Sequence, residues 1–160
     1  MKKIFLSILS ILVLLQITNC AGYKPIFQAQ NLQFEIAEYS IKGDKVIGNR
    51  IYSKLYNLSQ SSKSKDKAIS VTIEVNKKKI PTVKNSAGKI TEYKITLNTK
   101  ILLSDYLTNT KIVDDTFVNS ITYKVQDQYS ETVYVENQTI ENLVNKTYQE
   151  LLMKFSENIK

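Results

Sequence analysis

Between Lys63 and Lys100 the chain carries ten lysines against Asp66, Glu74 and Glu92, a local net charge of +7, whereas Ile101 to Lys160 carries five lysines against nine acids, a net of −4. Within the basic stretch Lys77, Lys78, Lys79, Lys84 and Lys89 flank the turn sequence Asn85-Ser86-Ala87-Gly88 and would gather at one end of a hairpin. A group of ammonium ions there can meet the phosphate oxygens of a multiply charged ligand, although each contact alone would be worth little. The same lysines would equally guard a sheet edge against the addition of another strand. Other chemistry is scarce. The 160 residues include no His, no Trp and one Cys; with that Cys expected to be consumed by a lipid, His- and thiol-based nucleophilic catalysis and most zinc sites are excluded. Asp114-Asp115 is the only adjacent pair of carboxylates. Neighbours on a strand point to opposite faces, so the two cannot act as acid and base on one substrate atom. They read as a solvated turn or strand edge, and Glu92 with Tyr93 beside the turn is a weaker candidate still. A non-enzymatic protein without cofactor or metal is the expectation.

The lone Cys20 has a different use. It follows Met1-Lys2-Lys3 and an apolar run from Ile4 to Ile17 broken only by Ser7, Ser10 and Gln16, and it precedes Ala21-Gly22. A basic start, an apolar core and a processing site make a signal peptide; the run falls short of the roughly 20 residues that cross a bilayer. Ile17-Thr18-Asn19-Cys20 resembles a lipobox, with Asn19 where Gly, Ala or Ser is usual. Residues 1–19 are therefore expected to be removed, leaving Cys20 as an acylated, palmitate-bearing first residue. Each buried methylene of the acyl chains adds about 0.8 kcal/mol, enough in sum to fix the protein to a membrane. By resemblance to lipoprotein sorting in Gram-negative cells, Ala21 rather than Asp in second place implies the outer membrane. Cleavage lowers the formal charge from +7 to +5, since Lys2 and Lys3 are lost. An exported protein has little nucleic acid to meet, so phosphate-bearing lipids, glycolipids or an acidic protein face are the expected anionic partners.

The elements that must position the lysines follow from periodicity. Residues 20–31 read as an acylated tether, and residues 32–160 as one domain. Leu32, Phe34 and Ile36 alternate as a strand. Asp44 is placed as an N-cap for a helix carrying Val46, Ile47, Ile51, Leu55 and Leu58, and Gln60 to Lys67 reads as a solvated loop. Ile69, Val71, Ile73 and Val75 form a second strand, and a third runs from Ile90 to about Leu103. After a loop at Tyr106 to Thr110, Phe117 to Val125 make a fourth, with the polar Asn119 on its apolar side. Asn137 is placed to cap a closing helix with its stripe on Ile140, Leu143, Val144, Tyr148, Leu151, Leu152, Phe155 and Ile159. The order β-α-β-β-β-α predicts an α+β two-layer sandwich, both helices on one face of a four-stranded mixed sheet whose first two strands run parallel. Tyr123, Tyr129 and Tyr134 would serve as interface anchors or as caps on the sheet.

Three stretches together resemble the LptE family of outer-membrane lipopolysaccharide-assembly lipoproteins, over essentially the whole of residues 20–160. They are Cys20-Ala21-Gly22-Tyr23-Lys24-Pro25, a glycine-aromatic opening; Val83 to Leu97, a basic Asn/Gly turn running into an alternating strand with Glu92-Tyr93 near its start; and Asn137 to Phe155, a closing helix with an acid-apolar-Tyr-Leu-Leu pattern. The resemblance implies a non-enzymatic partner of the large β-barrel LptD, seated at or within its lumen, that assists barrel assembly and helps deliver lipopolysaccharide to the outer leaflet. It also implies that Lys84 matches a basic residue before the turn that the family uses at its lipid contact, here Lys where Arg would bind phosphate bidentately. Lys84, Lys89, Lys77, Lys78 and Lys79 are thus the candidate lipopolysaccharide-binding residues. An accessory lipoprotein of a periplasmic ABC-type lipid-transport system shares the anchor and the small α+β domain and is the alternative.

Overall fold

A computed structural model describes residues 32–61 and 67–158. The expectations for residues 1–19, for the tether and for Cys20 lie outside these residues, as does Ile159. Strand β1 (Glu35–Gly43), helix α1 (Lys45–Ser61), strands β2 (Ala68–Lys84), β3 (Ile90–Asp105) and β4 (Lys111–Lys124) and helix α2 (Tyr129–Asn158) follow one another in the expected order. The strands form one sheet in sequence order, β1 parallel to β2 and the rest antiparallel. α1 packs on β1 and β2 and α2 on β4 and β3, which covers one face; among the described residues no helix lies on the other.

The core is what the alternation supplies. Ile69, Val71, Ile73 and Val75 of β2, Ile95, Leu97, Ile101 and Leu103 of β3, and Ile47, Ile51, Leu55, Leu143, Val144 and Leu151 of the helices are all buried. Phe34 meets Phe155 edge to face at 5.0 Å, tying the lead-in of β1 to the end of α2, a favoured aromatic geometry. Asp44 caps α1 as expected, its Oδ1 accepting the Ile47 N–H at 3.1 Å. Gly43 before it has φ +74°, and a Cβ there would lie 2.1 Å from the Val75 carbonyl oxygen. That same oxygen accepts the Asp44 N–H at 2.9 Å, so the strand-to-helix corner needs glycine both for its dihedral and for the close approach. The polar intruder Asn119 is buried and satisfied, its Nδ2 donating to Thr147 Oγ1 at 3.2 Å and Glu150 Oε2 at 2.7 Å.

Boundaries differ from the expectations in ways that have physical causes. β1 begins at Glu35 and runs to Gly43, because Leu32 and Phe34 are buried ahead of the first strand pairing; alternation reports a buried face, not a hydrogen-bonded ladder. Val46 is 64% exposed, because the buried stripe of α1 runs through Ile47, Ile51 and Leu55 and Val46 lies on the other side of the helix. β2 continues nine residues beyond Val75 to Lys84. β1 pairs only as far as Val75, so this second half of β2 has a free outer edge, and that is where Pro81, which has no N–H to give a ladder, is accommodated beside a register shift. α2 starts at Tyr129 rather than near Asn137. Its first turns bury little, with Tyr129 and Tyr134 exposed, and so they carry no apolar stripe to read.

Candidate functional site

The β2–β3 hairpin closes on Asn85, whose Oδ1 accepts the backbone N–H groups of Ala87 and Lys89 while Gly88, at φ +77°, donates to the Asn85 carbonyl. Such a side chain standing in for backbone acceptors is a strong turn-former. The turn carries Lys84 and Lys89 at the end of an arm of β2 and β3 that reaches past β1, with β4 continuing beside β3 as far as Glu92. The start of α2 runs beside this arm, and between them lies a groove of about 430 Å³ lined by Lys79, Lys89, Tyr93, Tyr129, Val133 and Glu136 among others.

Strand parity decides what each lysine does. Lys77 and Lys79 continue the series of Ile69 to Val75 and so face the helices. Lys77 reaches the α1 cap, 3.7 Å from Asp44 Oδ2. Lys79 sits 2.6 Å from Glu136 Oε2 of α2 and 4.4 Å above the Tyr93 ring. Tyr93 stacks on Tyr123 at 6.0 Å, and the Tyr123 hydroxyl donates to the same Glu136 oxygen at 2.8 Å. Two strands and a helix are thereby joined through one carboxylate. Partial burial opposes the charge of Glu136, but hydrogen bonds from Lys79 and Tyr123 and the charges of Lys79 and Lys77 outweigh it, so its pKa falls below the ordinary carboxylate value. Burial likewise opposes the Lys79 ammonium and is outweighed by Glu136 and Tyr123, leaving its pKa raised; burial raises the Tyr123 phenol.

The five candidate lysines are therefore not one cluster. Lys79 and Lys89 line the groove, Lys84 stands exposed on the arm opposite Ile90, Lys77 is held at the helix cap, and Lys78 projects from the uncovered face. Among the described residues Lys84 and Lys89 form no ion pair within 4.0 Å, in contrast to Lys77 and Lys79. Of the three tyrosines, Tyr123 is buried in the network, whereas Tyr129 and Tyr134 are 84% and 65% exposed. Asp114 and Asp115 lie on the edge strand β4 and pair opposite Leu102 and Ile101, hence on opposite faces; Asp114 is held by Lys111 at 2.6 Å. No group of His, Cys, Asp or Glu suited to a metal occurs among the described residues. Sequence reading missed Glu136 and the Tyr93–Tyr123 pair. The signal was available in Lys77 and Lys79, whose position on an apolar strand face calls for a carboxylate from the covering layer.

No family model and no curated protein matches the chain. Solved structures do. Rare lipoprotein B from Shewanella oneidensis has a TM-score of 0.55 at 8% identity, covering 75% of this chain and 94% of that one. Lipoprotein B from Nitrosomonas europaea has a TM-score of 0.57 at 16% identity, covering 82% and 88%. A minor lipoprotein from Acinetobacter baumannii has 0.55 at 12%, covering 79% and 94%. At these identities the likeness establishes a shared α+β fold.

Proposed function

We propose that the chain is a lipid-anchored, non-enzymatic protein of the LptE kind, which partners an LptD-type β-barrel at the outer membrane and helps deliver lipopolysaccharide to the outer leaflet. The observation that carries the reading is the sharing of one fold, over most of the chain, with several solved lipoproteins, taken together with the lipobox-like sequence ending at Cys20. The groove supplies a physical role. Lys79 is neutralised by Glu136, so the cations left to meet an anionic headgroup are Lys89 on the groove wall and Lys84 beside it on the arm. Tyr93, Val133 and Tyr129 give the same groove an apolar side. A ligand with phosphates and acyl or sugar surface matches that division better than a small ion does.

The test is affinity capture of the tagged full-length protein from detergent-solubilised outer membranes, followed by gels run with and without heating. A stoichiometric, heat-modifiable barrel is the expected partner. Recovery of an inner-membrane permease, or of no partner, would overturn the reading. On the ligand side, charge reversal at Lys84 and Lys89 is expected to weaken lipopolysaccharide binding with the fold retained; unchanged binding would remove these residues from the site.

A further inference from the structure

The face of the sheet turned away from the helices carries a second arrangement of lysines, distinct from the groove. Register places Lys78 of β2 opposite Thr96, and Lys94 of β3 opposite Thr122 of β4. Lys94 is therefore the diagonal neighbour of Lys78, and Lys124 the diagonal neighbour of Lys94. Diagonal positions across adjacent strands lie about 7–8 Å apart, so three ammonium-bearing side chains cross three strands in one line. Like charges at such positions repel, and none of the three forms an ion pair within 4.0 Å among the described residues, although Glu92 stands opposite Lys124. Edge protection accounts for lysines on the free half of β2 and on the outer strand β4. It does not account for Lys94, since β3 is paired on both sides along this stretch.

Between the cations lie Thr96, Ser120 and Thr122, with the exposed Ile80 opposite Lys94, and beyond them Asn76 and Asn98. We propose that the Lys78–Lys94–Lys124 diagonal binds an extended polyol or sugar polymer linked by phosphodiesters, successive phosphates meeting successive lysines and the intervening hydroxyls meeting the Thr, Ser and Asn side chains. The charge pattern selects a linear polyanion, because its cations are spaced along a line and not gathered around a point. Nucleic acid is disfavoured by what the face lacks. Proteins that hold single strands stack bases on aromatic side chains, and every Tyr and Phe on the described strands points toward the helices or the edge they overhang, not onto this diagonal. The proposal does not rest on the barrel-partner reading.

The experiment uses the detergent-purified full chain and fluorescence anisotropy with labelled poly(glycerol phosphate), against labelled oligothymidine of matched charge. Three phosphate contacts predict a plot of log affinity against log salt with a slope of about −2, from about −0.7 per contact on a flexible strand. The K78Q/K94Q/K124Q variant should lose at least about tenfold in affinity and most of that slope, while the K84Q/K89Q variant at the arm keeps both. Circular dichroism establishes that each variant is folded. Equal binding by K78Q/K94Q/K124Q and the parent, loss of binding in K84Q/K89Q instead, or tighter binding of oligothymidine than of the glycerol polymer would each overturn the assignment. Barrel capture by K78Q/K94Q/K124Q is expected to proceed as in the parent, so failure here and failure of the partner reading are separate results.

Discussion

Replacing Lys79 by Met and Glu136 by Gln, singly and together, measures how strongly the β2–β3 arm is fastened to α2. The 2.6 Å contact is half-sheltered, with 36% of the Lys79 side chain and 23% of the Glu136 side chain accessible. Exposed ion pairs contribute about 0.2–1 kcal/mol, and hydrogen bonds to charged groups about 1.5–3 kcal/mol; partial exposure puts the coupling here at about 1 kcal/mol. The two single variants should not cost the same. E136Q keeps an acceptor for the Tyr123 hydroxyl and leaves the Lys79 ammonium over Tyr93, a cation–π contact worth about 0.5–1 kcal/mol at such a site. K79M strands a partly buried carboxylate with one neutral donor, so it is the more damaging, at about 1.5–2 kcal/mol. The sign with pH follows from the lowered Glu136 pKa: its contribution is present above the unfolded value near 4.5 and is lost as pH falls through the folded value. Urea unfolding of all four proteins at neutral pH and below pH 4, at low and high salt, provides the assay. E136Q should flatten the part of the acid decline that belongs to this group, leaving that of Asp105 and Asp114, whose pKa values are also lowered, by Thr108 and by Lys111. A coupling near zero, or E136Q costing more than K79M, would refute the account of the network.

Two further substitutions test the frame that carries the site. Gly43→Ala combines a left-handed backbone with a Cβ driven into the Val75 carbonyl, and should cost about 3 kcal/mol from the conformational penalty and the weakened Asp44 hydrogen bond; a loss below 1 kcal/mol in chemical denaturation would show that the corner relaxes freely. Asn119→Ala removes the donor shared by Thr147 and Glu150, and about 2 kcal/mol is expected to go with it, read as an earlier urea midpoint at unchanged slope.

The element order, the parallel first pair and the single helix-bearing face were legible because each element of this chain has one apolar side. Strict alternation at Ile69 to Val75 and at Ile95 to Leu103 fixes which way the side chains of β2 as far as Pro81, and of β3 beside it, point. Asp44 could be read as a cap because the apolar series begins just after it. Ends were less legible wherever an element runs on without burying anything. The second half of β2, where Lys77 to Lys84 follow Val75, and the first two turns of α2 are held by backbone pairing and by the Glu136 network, and neither leaves a period in the sequence.

The same reasoning explains why the lysines were misgrouped when taken by sequence proximity. Lys77, Lys78 and Lys79 are consecutive, so the pleat must send them to two faces. Those facing the helices meet carboxylates that the helices supply, Asp44 and Glu136, because a cation entering the covered side of a sheet needs a counter-charge. The one facing away meets none and instead joins Lys94 and Lys124, which are sixteen and forty-six positions further along the chain. A basic run in sequence thus becomes, through parity and register alone, one set of structural cations and another that stands free on the open face. That second set, like Lys84 and Lys89 on the arm, forms no ion pair within 4.0 Å among the described residues and so is open to a ligand. Any assay of anion binding by this protein should therefore separate the groove from the sheet face, since the two respond to different substitutions.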